Sequence, residues 1–147
     1  MPKSTGTASR IFTAQLGSPA LGTTNAVLAD TAMASGATTV VTSGITNPAV
    51  PRNLTVTGNA AAVAGNVVIV GTNIGGEEIT ETIVASGTST VVGNKAFETV
   101  TSITLPAYAS ANTERIRVGT GAKLGLPCRS STARPIASFR SSIMSRK

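Results

Sequence analysis

The sequence predicts an all-β fold, a small antiparallel β-sandwich or barrel with extended arms at both ends, and three observations predict it. Short runs of β-branched residues recur every ~8–12 residues through the middle of the chain. Gly and Asn punctuate them, at Gly58-Asn59, Gly65-Asn66 and Gly93-Asn94. Helical signals are thin: the best stretches, residues 28–34 and 60–64, are no more than a turn or two, too short to be stable alone.

Taken in order, the first strand-like run is 38–42 (TTVVT). Residues 53–57 (NLTVT) alternate and stop at Gly58. Residues 67–70 (VVIV) form a continuous β-branched run of the length of a buried strand. Residues 71–76 (GTNIGG) read as a hairpin turn into the strand 77–84. Residues 89–92 (STVV) come next, closed by Gly93-Asn94. A strand over 97–105 ends at Pro106, and a last one over 115–118 ends at Gly119.

Apolar residues divide the chain. Val, Ile, Leu and Phe total 34, of which 21 fall in residues 51–126 and 13 in the other 71 residues. The flanks, at roughly 18%, lie below the ~20% at which a segment can bury enough surface to offset its ordering entropy. Three parts are therefore expected: an extended N-terminal arm over 1–50 with one strand near 38–42, a β-domain over 51–126, and a C-terminal arm over 127–147. Charge divides the same way. The segments 1–50, 51–126 and 127–147 carry +1, 0 and +5 of the net +6.

The residue inventory excludes most chemistry. Without His, neither a Ser-His-Asp nor a Cys-His nucleophile can be assembled. One Cys (Cys128) supplies neither an internal disulfide nor a zinc site, and with no acid–base partner it reads as a plain thiol. The expectation is a protein that is not an enzyme and has no catalytic residues, metal or cofactor. No apolar run approaches the ~20 residues of a membrane span, and no signal segment is visible, so synthesis in the cytoplasm is expected.

Several motifs are candidate sites. Glu77, Glu78 and Glu81 are the one concentration of carboxylates. On a strand Glu77 and Glu81 share one face and Glu78 takes the other, so the three do not converge, and a solvated edge or an ion pair between subunits is expected. The 71–76 loop lacks the Lys of a phosphate loop. Asn53-Leu54-Thr55 fits a glycosylation acceptor, read as chance in the absence of a secretion signal. The C-terminal arm is the most informative feature. It offers Arg129, Arg134, Arg140, Arg146 and Lys147 as cations, with Ile136, Phe139 and Ile143 as apolar anchors on one face of a short helix. With Phe139 its one aromatic, base stacking has little support, so an acidic protein surface is favoured over nucleic acid.

Segments of the middle resemble small structural proteins of tailed bacteriophages and prophages. They are 51–59 (PRNLTVTGN), 65–73 (GNVVIVGTN), 78–83 (EITETI), 92–106 (VGNKAFETVTSITLP) and 118–127 (VGTGAKLGLP). The resemblance covers about half of the chain and is most like capsid (head) decoration, or cement, proteins. It implies a virion protein on the capsid exterior with the major capsid protein as partner, a homo-oligomer, with a trimer favoured, and arms reaching neighbouring coat subunits. Two alternatives stay open: a tail, tail-tip or connector subunit, and a nucleic-acid-binding module using the basic arm.

Overall fold

A computed structural model of the chain describes residues 19–108 and 113–126. They form eight strands: β1 (Leu28–Ala32), β2 (Thr39–Val41), β3 (Arg52–Gly58), β4 (Ala64–Thr72), β5 (Glu78–Ser86), β6 (Val91–Phe97), β7 (Thr99–Leu105) and β8 (Arg115–Leu124). One sheet has the order β1-β8-β3-β6 and the other β2-β7-β4-β5, and every pairing within them is antiparallel. The architecture is a β-sandwich. The described residues include no helix, and so none long and apolar enough to cross a membrane.

Alternation builds the core. Leu54 and Val56 of β3 and Ile116 and Val118 of β8 face Val67 and Ile69 of β4 and Ile103 and Leu105 of β7, all of them buried. Phe97 is the largest side chain in this layer and is 0% exposed. Each such residue contributes about 1.5–3 kcal/mol on leaving water.

Several expected boundaries move. Residues 28–34 are not a helical turn: Leu28–Ala32 is β1, paired with β8 through Leu28↔Val118 and Ala32↔Arg115. Residues 60–64 hold a tight turn, with the Val63 amide donating to the Ala60 carbonyl. The 97–105 strand is two strands in different sheets, with Glu98 at the crossing and its amide donating to the Thr72 carbonyl. Gly93-Asn94 does not end a strand but lies within β6, and β8 runs on through Gly119 and Gly121.

The domain also begins earlier than residue 51. Val27, Leu28 and Met33 are core residues, and β1 and β2 each form the edge of a sheet. An edge strand needs one buried face only, so a low average of apolar residues suffices when those few sit at the right positions. The strand expected at 38–42 is β2, Thr39–Val41. Upstream of β1 the backbone stays with the sheet, the Thr120 amide donating to the Thr23 carbonyl. Gly119 permits this approach, since a Cβ there would collide with the Thr23 carbonyl and the Thr24 backbone. The arm segments 1–18 and 127–147 lie outside the described residues.

The run 67–70 has one buried face, not two. Val67 and Ile69 are in the core, whereas Val68 and Val70 are half-buried on the outer face of the sheet. The 71–76 loop is a hairpin turn, as its composition predicts: the Asn73 side-chain oxygen accepts from the amides of Gly75 and Glu77.

Candidate functional site

Three polar features of the sandwich are candidates for function, and the first two are accounted for by the fold. The strand β6 bulges away from β3: Thr55 pairs with Val92 and Asn53 with Ala96, leaving Gly93, Asn94 and Lys95 outside the ladder. A similar irregularity in β8 separates Thr120, paired with Leu54, from Leu124, paired with Arg52. Asn53 lies between the two bulges and is fully buried. Its Nδ2 donates to the Gly93 carbonyl at 2.9 Å and its Oδ1 accepts from the Lys123 amide at 2.9 Å. With both ends of its side chain occupied and none of it exposed, Asn53 is closed to glycosylation in the folded protein.

The remaining groups of the β6 bulge meet Glu81. This residue is on β5, the edge of the opposite sheet, and is 9% exposed. Its Oε1 accepts from the Asn94 amide at 2.6 Å and its Oε2 from the Lys95 amide at 3.2 Å. Lys95 Nζ returns a bond to the Thr80 carbonyl at 2.7 Å. Gly93 makes room for the carboxylate, since a Cβ there would lie 2.7 Å from Glu81 Oε2. The acidic cluster is thus dispersed. Glu78 is exposed, Glu77 sits in the turn beside Asn73 Nδ2, and Glu81 joins the two sheets rather than lying on a solvated edge. Strand parity placed Glu78 and Glu81 apart; the inward direction of Glu81 follows from its phase with Ile83 and Ala85. Replacing Glu81 with Ala is expected to lower stability by about 2–3 kcal/mol, because a charge-assisted acceptor is lost and two amides are orphaned. Urea unfolding at neutral pH checks this. Among the described residues no group of three or more His, Cys, Asp or Glu could hold a metal ion.

The third feature is a cleft of about 330 Å³ between residues 19–26 and the 46–52 segment. Its lining is mostly apolar, with Arg52 in it. Arg52 is 7% exposed, and its Nη1 donates to the Ala20 carbonyl at 3.0 Å. Its Nε is buried with no hydrogen-bond partner. Sequence reasoning did not single out Arg52. The readable signal was parity: positions 52, 54 and 56 share one side of β3, and the latter two are core residues.

The outer face of the β2-β7-β4-β5 sheet is a different surface. Register aligns Val40, Thr104, Val68 and Thr82 in one row, Ser102, Val70 and Thr80 in the next, and Asn66 with Val84 in a third. No charge interrupts these rows, and Val40 and Val84 are 60% and 58% exposed. The one ion pair among the described residues, Arg117 with Asp30 at 3.5 Å, is exposed, and such pairs contribute about 0–1 kcal/mol.

The residues expected to bind a partner, from Arg129 to Lys147, and the thiol of Cys128 lie outside the described residues. Comparison with protein-family models, curated proteins and solved structures finds no match to this chain.

Proposed function

We propose that this chain is a non-enzymatic structural protein of a tailed-phage virion, which binds the outside of an assembled capsid and stabilises it by bridging coat subunits. The observation that carries the reading is the separation of charge from fold. Residues 19–126 hold five cations against six acids, net −1, whereas 1–18 and 127–147 hold seven cations and no acid. A near-neutral body with cationic extensions suits a clamp on an acidic protein surface. The phage-like segments of the middle point the same way. A clamp that binds the lattice and not its free subunits stabilises the lattice by mass action, and several attachment points per copy add through effective concentration.

Deleting residues 128–147 is expected to reduce occupancy on capsids at least several-fold while leaving the thermal unfolding of the body unchanged. Unchanged occupancy in a capsid pull-down removes the arm from the reading. Immunogold labelling separates head from tail, since a decoration protein labels the whole head and a tail or connector subunit labels one vertex or the tail. The three uncharged rows of the outer face supply a second contact. Val84→Lys is expected to change stability by no more than about 0.5 kcal/mol, because the position is exposed, and to weaken attachment. Denaturation and capsid binding, measured side by side, check both parts. Nucleic acid is the second reading open to the same cations. It requires DNA affinity that falls steeply with salt, and absence of a mobility shift at low salt removes it.

A further inference from the structure

We propose that the Arg52 cleft is a receptor for an acidic side chain, an Asp or Glu carried on an extended apolar segment of a partner protein. The inference does not depend on the capsid reading. A guanidinium has five N–H donors, and taking it out of water is costly unless an anion or a full set of acceptors replaces the solvent. Arg52 has one acceptor, the Ala20 carbonyl, and its desolvated Nε has none. Nor can the chain supply the missing anion from its side chains. All six carboxylates, Asp30, Glu77, Glu78, Glu81, Glu98 and Glu114, lie among the described residues, and none is a partner of Arg52. The segments outside the described residues contain no Asp or Glu.

The surroundings specify what carries the acid. Pro19, Pro48, Ala49 and Val50 line the cleft, and Leu21 on its wall is 88% exposed. A free carboxylate would leave that apolar lining wet. A peptide with an apolar residue beside its acid covers Leu21 while the carboxylate reaches the guanidinium, for which its geometry is suited. The volume of about 330 Å³ is at the small end for ligand sites, enough for one or two side chains.

The test is an amide-resolved NMR titration of the full chain with N-acetylated, C-amidated Leu-Glu-Leu, its Leu-Gln-Leu counterpart, and sodium acetate at matched ionic strength. The Glu peptide is expected to shift the amides of Ala20, Thr23 and Thr46 saturably and to bind roughly tenfold tighter than the Gln peptide, the difference one charge-assisted bond makes. Leu21→Glu, at an exposed position that folding does not require, is expected to weaken the Glu peptide by a similar factor. Arg52→Lys keeps the charge but not the fork, and is expected to weaken it also where the variant folds. Equal affinity for the two peptides, shifts scattered over the surface, or unaltered binding by Leu21→Glu overturns the proposal. Acetate alone reproducing the full response overturns the assignment to a protein segment and gives the site to small carboxylates.

Discussion

Replacing Asn53 with Ala is expected to lower the free energy of unfolding by about 3–5 kcal/mol, the combined cost of two orphaned backbone groups at ~1–3 kcal/mol each and a small void. The Gly93 carbonyl and the Lys123 amide are the groups stranded. They belong to bulges on the two strands flanking β3, so one side chain reconciles three strands. Asn53→Asp separates the two bonds: the acceptor at the Lys123 amide is kept, and the donor to the Gly93 carbonyl is replaced by an oxygen. At neutral pH it should cost at least as much as Ala, because a fully buried carboxylate then faces the Gly93 carbonyl oxygen. Urea titration followed by far-ultraviolet circular dichroism reads both variants. A loss under 1 kcal/mol for Ala would show that water replaces the side chain.

Phe97→Ala is expected to cost a comparable ~3–5 kcal/mol through lost burial and the cavity left behind. Phe97 is the last residue of β6, and the chain crosses to the other sheet at the next position. Its ring lies against Gly71, where a Cβ would approach Cδ1 to 3.0 Å, so the ring spans from one sheet to the backbone of the other. Few neighbours can move into the space, because one of them is already a bare backbone. In a domain with ~5–15 kcal/mol of total stability such a loss is a large fraction of the whole. The midpoint of urea unfolding should fall with the slope unchanged. Phe97→Leu should recover most of the difference.

What was legible in the sequence was local burial. Alternation or a continuous run of β-branched residues marks β3, β4, β5 and β7, because a strand that packs on the core carries that signal in its own residues, although the continuous run of β4 pointed to two buried faces where there is one. The Asn73 turn was legible for the same reason, since all its partners lie within four residues. What escaped depends on distant partners. Gly119 and Gly93 looked like ends of strands, yet each is a glycine because something remote passes close by, the Thr23–Thr24 backbone in one case and the Glu81 carboxylate in the other. β1 has few apolar residues, and its place beside β8 is set by Val27 and Leu28 rather than by any average over fifty residues. The third Glu of the acidic cluster was judged by its neighbours in sequence, whereas its role is fixed by the bulge on another strand. Arg52 escaped because a single cation carries no period, although its phase with Leu54 and Val56 is visible in the sequence.

The strand order of the first sheet has a consequence in time. Its two inner strands are β8 and β3, and β8 is the last to leave the ribosome. Leu28 must wait for Val118, and Val56 for the same residue. At ~5–20 residues per second, the ninety positions separating Leu28 from Val118 take on the order of ten seconds to synthesise. During that interval the β4–β5 hairpin can pair through its unbroken nine-residue register and β7 can join it, while β3 can pair on one side only, with β6, and β1 has no partner at all. The nascent chain therefore carries a half-built sandwich until β8 has been made. Closure of the first sheet waits on β8 and is sensitive to whatever keeps β1 and the open edge of β3 apart from other chains until then.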